Sequence, residues 1–393
     1  MNPRRLWPAL LAVVLAVAGL ATSPLSPANA AATLTQVGSF GSNPGALRMY
    51  SYVPAGMPTG RPLIVALHGC TQSATDYYSH SGWPKYADLY QAAVVFPEQT
   101  PANNALSCFN WFTAGDIGRG QGEALSIKQM VDHAIRAYGS NPQRVYVTGL
   151  SAGGAMTAVM LAAYPDVFAA GAVIAGLPYN CGTICQYQAQ SKTPKQWGDL
   201  VRAANPGYTG PWPRVSIWHG TADSTVVPAN ATELRDQWTN VWGVPQTPSS
   251  TATLPGSTTV AYYSGAVELY QVSGMGHGTP VAPGSAENQC GTTGAYYLNT
   301  ICSSYHIARS WGLAGGTTTP PPSPSPSPSP TSTAQPCFTA SNYAHTTAGR
   351  ATRSGGYTYA NGSGQAMGLW NTFTVHTLRQ TGPNHYVLAD GQC

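Results

Sequence analysis

Residues 144–164 read RVYVTGLSAGGAMTAVMLAAY, and they point most directly to the fold class. The run 145–148 is β-branched or aromatic and predicts a strand, whereas 154–164 is mostly small and apolar and predicts a helix. Between them, Gly149 to Gly153 match the G-x-S-x-G pattern, which in this strand–turn–helix setting is typical of a nucleophile elbow. We therefore predict that Ser151 is a nucleophile. An ordinary glycine-rich turn is the alternative interpretation.

The segments around this motif alternate between strand and helix signals. Strands are predicted at residues 63–67, 93–96, 145–148, 172–174, 215–218 and 267–270, and helices at 86–93 and 123–138. This alternation favours an α/β fold with a mostly parallel sheet covered by helices. Active sites of such sheets lie at the carboxyl ends of the strands.

An acid partner for Ser151 is expected downstream, because α/β-hydrolases place nucleophile, acid and histidine in that order. Asp223 leaves the carboxyl end of the strand 215–218 through a short loop. Asp166 instead reads as part of a helix-ending turn, and Asp236 lies in a helical segment. We predict Asp223 as the acid; a turn or capping aspartate is the alternative.

The base is predicted to be His277, which lies in a glycine-flanked loop after the strand 267–270. A serine hydroxyl is a weak nucleophile until such a base takes its proton. His306 reads as an ordinary helix histidine. A histidine on a surface loop is the alternative interpretation of His277.

Acyl transfer also requires hydrogen-bond donors for the developing oxyanion. We predict the backbone N–H of Ala152, which follows the nucleophile, and that of Cys70, which follows the strand 63–67. His68 is expected to orient the Cys70 loop, and His219 to brace the acid loop.

Three aromatic side chains are predicted to shape an acyl pocket, with core packing as an equal alternative for each. They are Trp111, Trp218 and Tyr179. No metal or organic cofactor is expected, since no C-x-x-C pair is present and a serine triad needs none.

Eight cysteines, an even number, favour disulfides in an exported chain, although eight allow 105 pairings. Proximity along the chain predicts the pairs Cys70–Cys108, Cys181–Cys185, Cys290–Cys302 and Cys337–Cys393. Buried free thiols are the alternative.

The N-terminus predicts export. Residues 1–30 combine Arg4 and Arg5, an apolar run and a small-x-small site, which is typical of a signal peptide removed near Ala31. Charged residues make up 8% of the chain and the formal charge is +4, with no basic run after the signal. We therefore expect a secreted monomer with neither nucleic acid nor, after cleavage, a membrane as partner.

A Pro/Ser/Thr-rich linker at 317–334 divides the mature chain. It separates a body at 32–316 from a tail at 335–393. A Cys337–Cys393 bridge would close nearly the whole tail, and domains this small need such staples. Whether the aromatic residues of the tail form its core or a binding face stays open. They are Tyr343, Tyr357, Tyr359, Trp370 and Phe373.

Five motifs occur in the order found in one enzyme family: residues 67–72 (LHGCTQ), 108–112 (CFNWF), 149–154 (GLSAGG), 219–223 (HGTAD) and 276–278 (GHG). Together they resemble the secreted poly(3-hydroxybutyrate) depolymerase and feruloyl/acetylxylan esterase superfamily. The resemblance implies an α/β-hydrolase fold and a serine esterase whose triad is Ser151, Asp223 and His277. The tail is similar to small terminal modules that hold extracellular depolymerases on insoluble polyester.

The resemblance therefore implies hydrolysis of a poly(3-hydroxybutyrate)-type polyester through an acyl-enzyme, giving 3-hydroxybutyrate and short oligomers. The alternative is a feruloyl or acetylxylan esterase of plant cell walls, which would use the same triad. A non-catalytic binding protein and a peptidase are the remaining alternatives. The presence of all three triad residues argues against the first, and only fold analogy supports the second.

Overall fold

The computed structural model describes residues 32–314 and 336–391. The chain divides into two compact units between Gly316 and Thr317, where the predicted linker begins. The predicted signal peptide and linker lie outside the described residues. Within the described ranges, no helix is long and apolar enough to cross a membrane.

A ten-stranded sheet runs through the first unit, in the order β1-β2-β4-β3-β5-β6-β7-β10-β9-β8. The central strands from β4 to β10 are parallel, and two strands at each edge are antiparallel. The strands are β1 (Thr35–Val37), β2 (Arg48–Tyr52), β3 (Leu63–Leu67), β4 (Ala93–Glu98), β5 (Val145–Leu150), β6 (Ala170–Ile174), β7 (Arg214–Gly220), β8 (Ser250–Leu254), β9 (Thr258–Tyr263) and β10 (Val267–Val272). The predicted fold class, a mostly parallel sheet covered by helices, is confirmed.

Eight helices of the first unit lie within the described residues. They are α1 (Ala74–His80), α2 (Trp83–Tyr90), α3 (Ala114–Ile117), α4 (Gly122–Tyr138), α5 (Ala152–Ala163), α6 (Pro194–Ala204), α7 (Ala229–Trp242) and α8 (Ser303–Ser310). A 3₁₀-helix spans Thr183–Gln186, and β11 (Thr279–Val281) pairs with β12 (Tyr297–Asn299). The helix predicted at 86–93 runs instead over Trp83–Tyr90, because Gln91 turns into the left-handed region (φ 53°).

Both faces of the central sheet are covered. In β3, Leu63, Val65 and Leu67 pack into one core cluster with residues of α4 to α7. The alternate residues Ile64 and Ala66 pack into a second cluster with residues of α1, α2 and α8. Side chains of a strand alternate between faces, so a strand covered on both faces reads as a continuous apolar run.

Within residues 336–391, the second unit contains two small antiparallel sheets and one helix. Its elements are β13 (Cys337–Ser341), α9 (Asn342–Thr347), β14 (Ala351–Ser354), β15 (Tyr357–Ala360), β16 (Ala366–Leu369), β17 (Val375–Gly382) and β18 (His385–Leu388). The sheet orders are β13-β17-β18 and β14-β15-β16. The buried core is small and aliphatic, and consists of Ala351, Ala360, Met367 and Leu378.

The aromatic residues left open by the sequence lie outside that core. Phe373 is 89% exposed, Tyr357 50% and Tyr343 45%. The Trp370 ring is partly buried, donates from Nε1 to Thr346 Oγ1 (2.9 Å) and lies 3.9 Å from the Arg353 guanidinium. The second unit thus presents aromatic surface to solvent.

Two of the four predicted disulfides are confirmed, Cys70–Cys108 and Cys290–Cys302. Cys393 lies outside the described residues, so the Cys337–Cys393 pair stays a prediction.

The predicted Cys181–Cys185 disulfide is wrong, because both residues are buried free thiols. The Cys185 thiol donates to the Cys181 carbonyl and the Cys181 thiol to the Gly182 carbonyl, each at 3.3 Å. The short 3₁₀ turn therefore satisfies both thiols with backbone acceptors. Burial raises the pKa of the Cys181 thiol, which favours its neutral form.

Candidate active site

Ser151 lies at the point where β5 ends and α5 begins. Its backbone adopts φ 56° and ψ −117°, a conformation that costs energy for any residue with a side chain. The Ser151 N–H donates to the carbonyl of Ile174 in β6 (2.9 Å), which fixes the turn to the neighbouring strand. This is the geometry predicted for a nucleophile elbow.

Two glycines permit that turn. A Cβ at Gly149 would lie 2.4 Å from the Gly153 carbonyl oxygen. A Cβ at Gly153 would lie 2.5 Å from the carbonyl oxygens of Leu67 and His68. Strand, helix and the loop after β3 therefore approach so closely that only glycine fits.

Asp223 and His277 meet as predicted, on loops that follow β7 and β10. The His277 Nδ1 lies 2.8 Å from Asp223 Oδ2, and the Asp223 side chain is fully buried. The other carboxylate oxygen accepts from the N–H groups of Thr225 and Val226, both at 2.9 Å. Because Nδ1 donates to the carboxylate, Nε2 of His277 is left as the proton acceptor.

His219 braces the acid loop, as the sequence predicted. Its Nε2 lies 2.8 Å from the Val226 carbonyl and 3.4 Å from Asp223 Oδ2. Burial acts to raise the pKa of Asp223, but hydrogen bonds from His219 and His277 outweigh it and hold that pKa well below its usual range. The acid is therefore ionised at neutral pH.

Hydrogen bonds hold the predicted oxyanion loop in place on both sides of Cys70. The Gly69 N–H donates to Gln72 Oε1 (2.8 Å), and the Thr71 N–H donates to the Leu106 carbonyl (2.6 Å). The disulfide to Cys108 holds the Cys70 side chain. Within residues 32–314, neither the Cys70 N–H nor the Ala152 N–H donates to a backbone group. Both donors are thus available to a substrate oxygen.

His68 orients this loop through hydrogen bonds of both its ring nitrogens. It is completely buried, its Nε2 accepts from the Gln99 N–H (3.0 Å), and its Nδ1 donates to the Gly69 carbonyl (2.7 Å). Burial lowers the pKa of His68, so the ring stays neutral. With both ring nitrogens occupied, His68 is a structural support of the loop.

Ser151 and His277 line the same cavity, of about 270 Å³, together with Cys70. The cavity is also lined by Leu106, Tyr187 and Tyr296, which are 62%, 66% and 44% exposed. These residues lie on irregular loops and were not predicted from the sequence.

The three aromatic residues predicted to contact substrate do not line this cavity. Trp218 is fully buried and stacks on Tyr270, with ring centroids 3.8 Å apart. Trp111 and Tyr179 are 7% and 5% exposed and belong to the other core cluster. The core-packing alternative describes all three, because each is enclosed by the sheet and its helices.

In the described part of the chain, no cluster of three or more His, Cys, Asp or Glu side chains is placed to hold a metal ion.

Comparison with known proteins places this site in a family. Residues 47–253 match the family model described as "Esterase PHB depolymerase". The chain belongs to this family. It is a carboxylic ester hydrolase with an α/β-hydrolase fold.

Individual relatives agree with that assignment. Over 293 residues the chain is 53% identical to poly(3-hydroxyalkanoate) depolymerase C from Paucimonas lemoignei, covering 72% of this chain and 70% of that protein. It is 38% identical to feruloyl esterase B from Talaromyces stipitatus, over 69% of this chain and 79% of the relative. The solved acetyl xylan esterase from Aspergillus awamori is 28% identical with a TM-score of 0.62, covering 72% of this chain and all of that structure (100%).

Proposed function

We propose that this chain is a secreted serine esterase that cleaves the ester bonds of a poly(3-hydroxybutyrate)-type polyester, releasing 3-hydroxybutyrate and short oligomers. The observation that carries the substrate assignment is the 53% identity to poly(3-hydroxyalkanoate) depolymerase C, against 38% to feruloyl esterase B. The signal-like residues 1–30 support export.

The arranged residues support the following cycle. His277, oriented by Asp223, accepts the proton of Ser151 Oγ as that oxygen attacks the ester carbonyl. The N–H groups of Cys70 and Ala152 stabilise the oxyanion. His277 then protonates the leaving hydroxyl, which departs and leaves an acyl-enzyme. Water, deprotonated by His277, hydrolyses this ester and regenerates Ser151.

A second cavity beside the first supports a long substrate. It measures about 180 Å³ and shares Thr71, Gln72 and Tyr296 with the Ser151 cavity. Together, the two cavities extend the site beyond the length of a single ester unit. A polymer chain would occupy both, whereas a small ester would fill only the first.

The second unit supports action on a solid. Its most exposed aromatic residue, Phe373, contributes apolar surface that the unit's own core does not use. A Pro/Ser-rich spacer would let this unit hold the catalytic unit near an insoluble polyester, which raises the local enzyme concentration. We propose that residues 335–393 bind the polymer.

The deciding experiment compares wild type and Ser151→Ala in clearing a poly(3-hydroxybutyrate) suspension, with feruloylated and acetylated xylan as parallel substrates. The wild type should clear the polyester faster than it releases ferulic or acetic acid from the xylan esters. Ser151→Ala should lower ester hydrolysis by about 10⁶-fold, since the nucleophile is gone. Preference for the xylan esters would assign the chain to the cell-wall esterases, and an active Ser151→Ala would refute the serine mechanism.

A further inference from the structure

Glu123 is a buried acid that the proposed cycle does not use. It lies in the first turn of α4 and is completely shielded from solvent. Four N–H groups converge on its carboxylate. They are Asn110 N (2.8 Å), Asn110 Nδ2 (2.7 Å), Asn103 Nδ2 (3.4 Å) and Gln99 Nε2. The four hydrogen bonds favour the ionised carboxylate, whereas burial of the charge disfavours it.

One chain of hydrogen bonds leads from Glu123 to the N-terminal side of Cys70. The Gln99 side chain donates to Glu123, and the Gln99 backbone N–H donates to His68 Nε2 (3.0 Å). His68 Nδ1 then donates to the Gly69 carbonyl (2.7 Å). The peptide that carries the Cys70 N–H contains this carbonyl, so its orientation depends on the chain.

A second chain leads to the other side of Cys70 through Asn110. The Asn110 Oδ1 accepts from Asn104 Nδ2 (2.8 Å), and Asn104 Oδ1 accepts from the Leu106 and Cys108 N–H groups (3.0 and 3.3 Å). The Leu106 carbonyl in turn accepts from the residue after Cys70, and Cys108 is the disulfide partner of Cys70.

We infer that Glu123 is a positioning residue that sets the direction of the Cys70 N–H, and through it the strength of the oxyanion hole. The inference rests on the proposed use of that N–H. Both chains end at the loop of Cys70, and both start at the same carboxylate.

A carboxylate is suited to this place because it only accepts hydrogen bonds. An amide of the same shape would set an NH₂ group against N–H donors, which forces Gln99 or Asn110 to turn away. Burial raises the pKa of Glu123 to about 8, and the hydrogen bonds from Asn110 and Gln99 oppose that rise. Below this pH the protonated acid carries an O–H among the same donors, so the assay is run at about pH 9, where the carboxylate is ionised and only accepts.

The test is Glu123→Gln in the full chain, assayed on p-nitrophenyl butyrate. We expect kcat to fall by about 10²-fold with KM little changed, as when one oxyanion donor is lost. Affinity for a boronic acid, which forms a tetrahedral adduct on the serine, should fall in parallel. The control is Glu268→Gln on β10, a partly buried carboxyl that accepts from Tyr270 (3.0 Å) and lies outside both cavities.

Glu123→Gln with wild-type kcat and boronate affinity would overturn the inference, as would an equal loss in Glu268→Gln. If Glu123→Gln does not fold, Asn110→Ala carries the test, because it removes one donor and keeps the backbone contact. It should lower kcat about tenfold at constant KM, and wild-type kcat in that variant would likewise refute the role. Failure of the wild type itself to cleave the soluble ester would instead refute the proposed function.

Discussion

Both carboxylate oxygens of Asp223 are engaged: Oδ1 accepts from two N–H groups of its own loop, and Oδ2 lies against His277 and His219. Such an acid is held in one orientation before substrate arrives. Its task is to fix the His277 ring and to stabilise the imidazolium that forms when Ser151 loses its proton.

Asp223→Asn should lower kcat on a soluble ester by about 10⁴-fold, because the amide favours the wrong His277 tautomer. The folded pKa of Asp223 lies below its unfolded value, so the ionised group stabilises the fold above about pH 4 and loses this effect as the pH falls further. The melting-temperature gap between wild type and Asp223→Asn should therefore narrow from pH 7 to about pH 3. A gap that stays constant over this range would contradict the assignment.

The sequence located the triad because each member follows a predicted strand in a fixed order. It did not locate Tyr187 and Tyr296, since loop residues carry no periodicity and reach the cavity only through the tertiary fold. For Trp218 the sequence left an acyl-pocket role and core packing open, because a residue near a strand end can face either side of the sheet. Its complete burial and its stacking on Tyr270 place it in the core.

Among the elements, the central strands were predicted best. The runs at 63–67 and 145–148 are mostly apolar and every residue in them is buried, as expected of parallel strands covered on both faces. The antiparallel edge strands β8 and β9 were not predicted. Four of the five residues of β8 are exposed, and β9 mixes buried with exposed residues, so no continuous apolar run marks either strand.

The Cys70–Cys108 bridge joins two loops rather than two regular elements. It closes 38 residues, so Cys70→Ser with Cys108→Ser should destabilise the fold by about 4 kcal/mol in urea unfolding, from chain entropy. The same double variant should also lower kcat, because the oxyanion loop is no longer held by the disulfide at Cys70.

The matched control removes Cys290–Cys302, which closes only 12 residues. Its loss should cost about 3 kcal/mol without a comparable loss of kcat. Equal effects of the two double variants on kcat would show that the first bridge supports stability alone.

The whole molecule combines a catalytic unit with a second unit that has its own small core. Removing residues 317–393 should leave hydrolysis of p-nitrophenyl butyrate unchanged and slow the clearing of solid polyester, since adsorption is lost. Equal clearing by the shortened chain would disprove polymer binding by the second unit.

Phe373→Ala should weaken adsorption to the polyester without unfolding the second unit, because a side chain that is 89% exposed contributes little packing. The control is Thr381→Ala, at an exposed polar position of β17.

The bridge at Cys70 has a consequence for where the enzyme works. Disulfides form outside the reducing cytoplasm, so a chain that is still in the cytoplasm lacks this bridge. If the chain is exported as proposed, its oxyanion loop becomes fully held only after it has left the cell. Its esterase activity would then be lowest toward the esters inside the cell that produces it and highest at the polymer outside.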